Sequence, residues 1–373
     1  MSEKCIRRGK AAVLRQLGEP LSVEEVEFLE LLPGQVVIKL AATGICHTDV
    51  HAMSGELPVP LPCVVGHEGA GVVEEIGPSV TMVKPGDHVV SAITASCGKC
   101  RRCTEGKPYF CELYAGAALG GTLVDGSIRL RGKDEGTLFH FICQSHFAEY
   151  AIVNERQLAK IPEEAPFTIA SLLGCGISVG LSLAVNHAQV RPGDSVAVFG
   201  CGGVGLSIVM GASLMGAERI FAVDILPNKL ELARELGATD LIDATTGDPV
   251  EQIGLLMEAQ GVDYSFEAVG NPALMAQAVD VIRAGGMTTF IGTPAFGTTF
   301  SYDALGICFG KTITAVPTGA LRPTIDIPHF MSLYLAGRLP LDKMVSKTYK
   351  LEEVNQAVED LKGGKVARGV IVF

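Results

Sequence analysis

Six short apolar segments follow Gly180, and most of them are separated by amphipathic stretches of helical length. In order along the chain they are SVAVFG, RIFAVD, TDLID, VDYSFEAVG, GGMTTFIG and KTITAVP. Strands that alternate with helices pair in parallel, because each helix carries the chain back to the same edge of the sheet. The pattern therefore predicts an α/β fold with a doubly wound, Rossmann-type parallel sheet over residues 179–318.

Residues 1–178 have a different texture, in which short apolar runs are bounded by Pro and Gly. The runs KAAVL, QVVIKLAATG, EGAGVVEEIG, DHVVSAI and HFAEYAIV predict strands of an antiparallel, barrel-like β domain. Residues 319–373 contain two helical patterns and end in the strand-like RGVIVF. We expect this tail to return to the first domain and to leave a cleft between the two domains. A chain of 373 residues is also too long for one ordinary core.

A glycine-rich turn directly follows the first candidate strand of the parallel sheet and opens the next helix. It reads Gly200-Cys-Gly202-Gly203-Val204-Gly205. The first glycine permits a tight bend, the second lets the backbone approach a pyrophosphate, and the third allows the helix to pack closely on the strand. The diphosphate then rests at the helix N-terminus. Strand, turn and helix together predict a dinucleotide site; a turn that binds no ligand is the alternative.

Asp224 ends the next candidate strand and bears on the choice of coenzyme. An acid about twenty residues after the glycine turn hydrogen-bonds the adenine-ribose hydroxyls and repels a 2′-phosphate. Asp224 therefore predicts NAD rather than NADP, unless it is only a structural acid at a strand end. Lys229 lies five residues further on, within reach of the ribose edge.

Four closely spaced cysteines occur in the run CGKCRRCTEGKPYFC. They are Cys97, Cys100, Cys103 and Cys111. Their spacing allows four thiolates to surround one tetrahedral ion, so we expect residues 95–113 to form a structural zinc lobe. The alternative is a disulfide pair in an exported protein, but the start MSEKCIRRGK contains no apolar leader. Eleven cysteines without such a leader indicate a reducing, cytoplasmic compartment.

Two further thiols and one imidazole lie far apart in the sequence. GICHTDVH contains Cys46, GHEGAG contains His67, and LLGCGISVG contains Cys175. Three such donors leave one position of a tetrahedral zinc open, as a catalytic ion requires. Singly, each residue is an ordinary core Cys or His. Beside a dinucleotide site, the set predicts a second zinc that lowers the pKa of a bound alcohol and so makes it a better hydride donor.

Charge and hydropathy exclude two classes of partner. Lys and Arg number 30 against 41 for Asp and Glu, which gives a net charge of −11. An acidic chain is a poor partner for nucleic acid or an anionic membrane. No apolar run reaches the ~18 residues that a membrane span requires.

These motifs follow the order found in zinc-containing medium-chain alcohol dehydrogenases, and the chain resembles that family from about Lys10 to Phe373. The resemblance implies a GroES-like catalytic domain, formed by residues 1–178 and 319–373, beside the NAD-binding domain. It implies two zinc ions per chain and a small alcohol or aldehyde as substrate. Two thiolates and an imidazole are the known ligand set of the alcohol dehydrogenase zinc.

The resemblance also assigns roles around the catalytic zinc. Asp49 orients His67, and Glu68 lies behind the metal. Thr48 receives the proton of the substrate hydroxyl, which passes through the nicotinamide ribose hydroxyl to His51 at the surface. The implied substrate-pocket or nicotinamide-side positions, each of which is otherwise ordinary core, are Leu57, Ile93, Phe141, Ile142 and Thr293. The further coenzyme positions are His47, Ile291 and Arg368.

The chain departs from the family pattern at three places. His47 replaces an Arg that many relatives carry, so we expect looser NAD binding above neutral pH. Ile93 replaces an aromatic ring, so we expect the pocket to accept a bulkier group near the zinc. Segment 113–141 matches the family little beyond DGSIRLRGK, and we expect it to determine the substrate. Arg368 can still contact the phosphates, with a surface ion pair as the alternative.

The leading prediction is an NAD-dependent enzyme that interconverts primary alcohols, aliphatic or aromatic, and aldehydes. The thiol-dependent formaldehyde branch of the family needs charged pocket residues, and Leu57 and Ala115 supply none. A zinc-free quinone or double-bond reductase has no use for the three zinc ligands. A non-catalytic NAD-binding protein has no use for the relay. The segments FIGTPAF and KTITAVP allow the sheet to continue across a two-fold axis, so a homodimer is expected, with a tetramer as the alternative.

Overall fold

The computed structural model describes residues 4–133, 136–295 and 297–373. Parts of three segments used above lie outside this description: residues 1–3 of the N-terminal run, residues 134–135 of segment 113–141, and Phe296 in FIGTPAF. The chain divides into two compact units. The first unit comprises Met1–Cys175, Arg322–Gly337 and Met344–Phe373, and the second comprises Gly176–Leu321 and Arg338–Lys343.

A closed five-stranded barrel forms part of the first unit. Its strands, labelled in chain order, are β1 (Cys5–Leu14), β2 (Ser22–Leu29), β4 (Cys63–Val64), β7 (Leu130–Gly132) and β8 (Thr137–His140). They close in the order β1-β2-β7-β8-β4. Val13, Val26, Phe28, Leu130 and Leu138 are buried in one core. Closure gives each of these strands a paired neighbour on both sides.

A seven-stranded sheet forms the rest of the β structure of the first unit. Its strands are β3 (Gln35–Gly44), β5 (Glu68–Ile76), β6 (His88–Ser91), β9 (Tyr150–Asn154), β10 (Leu158–Lys160), β17 (Val345–Tyr349) and β18 (Arg368–Val372). The order is β10-β6-β5-β3-β18-β17, and β9 also pairs with β3. Gly44, at the end of β3, lies opposite Glu68 on β5 and Val370 on β18. Residues from three distant parts of the sequence therefore meet at this end of β3.

Helices and a small lobe complete the first unit. The helices are α1 (His47–Ser54), α2 (Arg101–Thr104), α3 (Glu112–Ala118), α4 (Phe167–Leu172), α11 (Pro323–Leu335) and α12 (Val354–Lys362). In α12 the buried residues include Val354, Ala357, Val358 and Leu361, which is the spacing of one helical face. That face packs into the same apolar cluster as Phe141.

The second unit contains a six-stranded parallel sheet. Its strands are β11 (Ser195–Phe199), β12 (Arg219–Asp224), β13 (Asp240–Asp243), β14 (Val262–Glu267), β15 (Ile282–Phe290) and β16 (Thr312–Ala315). The helices are α5 (Gly176–Ser182), α6 (Gly203–Met215), α7 (Pro227–Glu235), α8 (Pro249–Leu256), α9 (Pro272–Asp280) and α10 (Ala304–Ile307). The order is β13-β12-β11-β14-β15-β16, so the strand order reverses between β11 and β14. Ligands of such sheets bind outside the carboxyl ends of the strands at this reversal.

The fold class predicted from the sequence is confirmed. The six apolar segments after Gly180 are the six strands of the parallel sheet, and the region before them contains the barrel. Among the residues that the structure describes, no helix has the length and apolar character needed to cross a membrane.

Candidate active site and metal centres

Cys46 lies where β3 ends and α1 begins. Its backbone is extended (φ −121°, ψ 154°), and its N–H donates to the Asp49 carboxylate at 3.0 Å. This contact holds the thiol at the N-terminus of α1, where the helix dipole favours a thiolate. Cys46 Sγ also lies 3.6 Å from Thr48 Oγ1. The turn into α1 therefore fixes the position of a sulfur ligand.

Asp49 also orients His67. Its Oδ1 accepts the N–H of Gly66 at 3.1 Å and lies 3.0 Å from His67 Nδ1. With Nδ1 donating to Asp49, the lone pair of the ring lies on Nε2. Nε2 is buried and has no hydrogen-bond partner among the described residues. A buried, unpartnered ring nitrogen whose opposite nitrogen is held by a carboxylate is typical of a metal-binding histidine.

Cys175 directly follows a glycine that lies close to the sheet. A Cβ at Gly174 would lie 2.7 Å from Ser91 O and 3.2 Å from Glu68 Cα. The carbonyl of Gly174 accepts the N–H of Ile93 at 2.7 Å. This close approach places Cys175, which is 5% exposed, beside the start of β5.

Four potential ligands come together in the first unit. One donor atom from each of Cys46, His67, Glu68 and Cys175 lies within 4.8 Å of all the others. The hydrogen bond from the Cys175 thiol lowers the pKa of Cys46 well below its usual value, and the same contact, together with burial, raises the pKa of Cys175. A metal ion between these sulfurs would displace the shared proton. Two sulfurs and the free Nε2 of His67 fit a zinc ion with one open coordination position.

Glu68 and Arg368 form a buried ion pair beside these ligands. Arg368 Nη2 donates to Glu68 Oε2, and the two side chains are 4% and 0% exposed. Burial raises the pKa of Glu68, while the charge of Arg368 opposes that rise. The structure places the guanidinium on Glu68, and its contact with coenzyme phosphates stays a prediction.

Helix α1 carries Thr48 and His51, which are predicted to form the proton relay, and His47, which is predicted to contact the coenzyme. Thr48 is half-buried, and His51 lies one turn later on the same face of the helix. Nδ1 of His51 contacts Glu56 Oε2, and the His51 side chain is 35% exposed. His47, the first residue of α1, is exposed. The path from Thr48 to His51 therefore leads from the cluster towards solvent.

Four of the predicted pocket residues belong to one apolar cluster in the first unit. Phe141 and Ile142 are buried, and Leu57 and Ile93 pack against the same cluster. The ring of Phe141 meets that of His67 edge-on, with 5.6 Å between centroids. Ile142 has φ of +50°, a conformation that β-branched residues seldom adopt, so the chain turns sharply beside the His67 ring.

The four-cysteine lobe forms a second metal centre in the first unit. Donor atoms of Cys97, Cys100, Cys103 and Cys111 all lie within 4.8 Å of one another. The sulfur of Cys103 lies 3.5 Å from that of Cys100 and 4.0 Å from that of Cys97. These distances exceed a disulfide bond and match the S···S separation of about 3.8 Å expected for thiolates 2.3 Å from a tetrahedral zinc.

Backbone groups in the lobe stabilise thiolate. The N–H of Cys97 donates to Cys111 Sγ at 3.3 Å, and the N–H of Cys100 donates to Cys97 Sγ at 3.2 Å. Backbone hydrogen bonds, led by that from Lys99, lower the pKa of Cys97 to about 6. Burial instead raises the pKa of Cys103 to about 12. A bound metal would ionise Cys103 as well, so the lobe fits a structural zinc.

The glycine turn of the second unit has the shape of a phosphate cradle. Gly200 has φ of +94°, and a Cβ on Gly205 would lie 1.8 Å from Gly200 O. A Cβ on Gly202, the N-cap of α6, would meet no atom within 4 Å. Gly203 and Val204 form the first turn of α6. The N-terminus of α6 therefore faces open space, as a diphosphate requires.

Asp224 lies at the carboxyl end of β12, beside the glycine turn. Its Oδ2 accepts the N–H of Cys201 at 2.8 Å, and its Oδ1 accepts the N–H groups of Ile225 and Leu226. Lys229 Nζ lies 3.8 Å from the same carboxylate. Ile291 and Thr293 follow β15 at the same edge of the sheet. Their contacts with NAD stay predictions.

Three buried polar side chains contact neighbouring loops and were not predicted from the sequence. Tyr114 donates its hydroxyl to the carbonyl of Ile93, and Gln144 Nε2 donates to the carbonyl of Ala92 at 2.8 Å. Glu267 accepts three backbone N–H groups. Of the three, Glu267 interrupts an apolar run, which indicates a buried hydrogen bond but does not identify the partner.

Two family models match the chain. The alcohol dehydrogenase GroES-like domain matches residues 32–163, and the zinc-binding dehydrogenase domain matches residues 203–334. The first match contains Cys46, His67 and the four-cysteine lobe.

Similar proteins match the chain from end to end. S-(hydroxymethyl)glutathione dehydrogenase of Synechocystis sp. is 39% identical over 98% of this chain and 100% of its own length. Benzyl alcohol dehydrogenase from Acinetobacter calcoaceticus is 36% identical in sequence. Its crystal structure matches this one with a TM-score of 0.94 over 99% of this chain and 100% of that chain. An alcohol dehydrogenase zinc-binding domain protein from Burkholderia ambifaria is 39% identical, with a TM-score of 0.95 over 98% of this chain and 99% of that one.

Proposed function

The chain belongs to the zinc-containing medium-chain alcohol dehydrogenase family, and from that premise we propose that it oxidises primary alcohols with apolar substituents to aldehydes by transferring hydride to NAD. The observation that carries this proposal is the convergence of donor atoms of Cys46, His67 and Cys175 within 4.8 Å of one another, together with the buried, unpartnered Nε2 of His67. Those donors suit a zinc ion that keeps one position open for the alcohol.

Each side chain at the site has a distinct task in this reaction. Zinc supplies a Lewis acid that acidifies the alcohol, and NAD supplies the hydride acceptor. Asp49 holds His67 in the tautomer that presents Nε2. Thr48 receives the hydroxyl proton, and His51 releases it to solvent beside Glu56. Phe141, packed edge-on against His67, excludes water from that side of the site.

We propose that an apolar surface groove beside Leu57 receives the hydrocarbon substituent of the alcohol. Leu57 packs against the apolar cluster that contains Phe141, and it also lines this groove of about 320 Å³. The other residues of the groove are Leu17, Gly55, Pro58, Val59, Pro60 and Leu119. Its lining contains no ionisable side chain. An anionic peptide thiol adduct would need cationic partners there, whereas a phenyl or alkyl group needs none.

The thiol-dependent oxidation of formaldehyde remains the second candidate, favoured by the 39% identity to an S-(hydroxymethyl)glutathione dehydrogenase. The test is NADH formation from benzyl alcohol, butanol, octanol and formaldehyde, the last with and without glutathione. We expect turnover of the first three alcohols. Formaldehyde oxidation that requires glutathione and exceeds all of them would instead establish the second candidate.

Cys46→Ala tests the zinc site itself. We expect it to bind one zinc instead of two, to retain NADH binding and to lose alcohol oxidation. Cys63→Ala is the control, because it removes a buried thiol that belongs to neither metal cluster. Undiminished oxidation of benzyl alcohol by Cys46→Ala would contradict the proposal.

Asp224→Ser tests the preference for NAD. Removing the carboxylate removes the repulsion of a 2′-phosphate, so kcat/KM for NADP should rise relative to that for NAD. Asp243→Ser, at the end of the neighbouring strand β13, is the control. An unchanged NAD-to-NADP ratio in Asp224→Ser would count against the ribose contact.

We also propose that the enzyme is a cytoplasmic homodimer. All eleven cysteines lie among the described residues and none of them is paired in a disulfide, as a reducing compartment favours. Strand β16 is an edge of the parallel sheet, and an edge strand presents unpaired backbone groups that a second copy can satisfy.

A further inference from the structure

Glu267 is a buried carboxylate at the carboxyl end of β14, on the edge of the sheet where a dinucleotide binds. Its Oε1 accepts the N–H groups of Val269, Gly270 and Asn271 at 2.9, 2.8 and 3.3 Å. Its own carbonyl accepts the N–H groups of Ile291 and Gly292 at 2.9 and 3.0 Å. One residue thus holds the loop after β14 and the loop after β15.

These two loops are in contact at backbone distance. A Cβ on Gly292 would lie 2.0 Å from Gly270 N, and a Cβ on Gly270 would lie 2.6 Å from Thr293 O. Gly270 has φ of +88°, which other residues rarely adopt. The two loops cannot move closer to each other without a clash. The contacts made by Glu267 keep them from moving apart, so these contacts determine their relative position.

The loop after β14 also covers the glycine turn. The N–H of Ala268 donates to Phe199 O at 2.9 Å. Val269 Cγ2 lies 2.4 Å from the position of a Cβ on Gly200, and Val269 itself is 51% exposed. The loops that follow β11, β14 and β15, which are adjacent strands, are therefore fixed to one another at the site of the coenzyme.

We propose that Glu267 is a positioning residue for NAD: its carboxylate locks the loop 268–271 between the glycine turn and the loop 291–293, so that the coenzyme binds a rigid edge. The inference rests on the proposed use of NAD. A buried carboxylate that accepts successive backbone N–H groups fixes a loop strongly, because hydrogen bonds to a charged acceptor are stronger than those to a neutral one. A preformed loop avoids an ordering cost when the ligand binds.

The strand supplies its own control. Asp263, near the amino end of β14, accepts the N–H and hydroxyl of Ser195 at 2.8 and 2.7 Å and also pairs with Arg283. Both acids connect β14 to its surroundings, but only Glu267 lies at the coenzyme edge. Asp263→Ala should therefore lower stability without changing NADH affinity.

The experiment is NADH binding by fluorescence titration, with zinc content and urea unfolding measured on the same samples. Glu267→Asp, whose carboxylate is one methylene shorter and misses the loop, should weaken NADH binding at least about tenfold. Glu267→Gln keeps an acceptor oxygen and should restore most of the affinity, while both variants retain two zinc ions per chain.

The outcomes separate this inference from the proposed function. If Glu267→Asp is folded and binds NADH as tightly as the parent, or if Asp263→Ala weakens binding equally, the positioning role is wrong and the dehydrogenase activity stands. If the parent binds no NADH, the proposed function is overturned together with the inference.

Discussion

Asp49 makes contacts on two sides of the catalytic cluster. One carboxylate oxygen accepts the N–H of Cys46, and the other contacts Gly66 N and His67 Nδ1. Its side chain is 0% exposed, so each contact is shielded from water. Two ligands of the proposed zinc therefore depend on a residue that does not bind the metal itself.

Asp49→Asn should weaken binding of the catalytic zinc by about 10–100-fold, because an outer residue that orients a histidine ligand contributes that much to metal affinity. After dialysis against a chelator, the variant should retain the lobe zinc and lose the other. Asp326→Asn changes a buried carboxylate that accepts the N–H of Arg322 at the start of α11 and belongs to neither metal cluster, so this variant should retain both ions. Equal retention in the two variants would refute the orienting role.

Arg368 and Glu68 form a buried ion pair whose contribution to stability can be measured. Arg368→Gln removes the buried guanidinium that pairs with Glu68 and should lower the free energy of unfolding by about 3 kcal/mol. The double variant Arg368→Gln, Glu68→Gln removes both charges and should recover much of that loss. Urea denaturation in the absence of coenzyme measures both values.

A surface pair provides the scale for that measurement. Arg234 and Glu231 pair on α7 with side chains 59% and 61% exposed, so Arg234→Gln should cost less than about 1 kcal/mol. Finding Arg368→Gln as stable as Arg234→Gln would show that the buried pair does not stabilise the fold.

The lobe of residues 95–113 is an element that the sequence predicts well and that has little core of its own. The lobe contains only short helical pieces, namely α2, the residues Pro108–Phe110 and the start of α3, so the metal has to supply what packing does not. Its four ligands lie within one short run, which is why their spacing alone indicated the site.

Cys103→Ala should reduce zinc from two ions per chain to one and expose residues 95–113 to proteases, since a structural zinc contributes folding energy directly. Metal analysis and limited proteolysis measure these effects. Cys308→Ala, at an exposed thiol outside both clusters, should change neither. A Cys103→Ala protein with two ions and unchanged protection would rule out the structural role.

At the scale of the whole molecule, what the sequence predicts depends on how local the contact is. The glycine turn and the four cysteines are contiguous motifs, and the alternation of strands and helices predicts the parallel sheet. Glu68 and Arg368 are 300 residues apart and meet because β5 and β18 both pair with β3. Glu267 joins two loops only because β14 and β15 are neighbours in the sheet. Strand pairing, which no local pattern specifies, determines such contacts.

The edge of that sheet leads to the prediction for assembly. Leu305, in α10, and Phe309, which follows α10, are 64% and 65% exposed and lie before edge strand β16 in the sequence. A second copy that extends the sheet here would bury both side chains, so Phe309→Lys should place a charge in the interface and dissociate the dimer. Light scattering should then give the chain mass of 39.2 kDa instead of twice that value. Leu255→Lys, at an 82% exposed site on α8, should remain dimeric; dissociation by both variants, or by neither, would place the interface elsewhere.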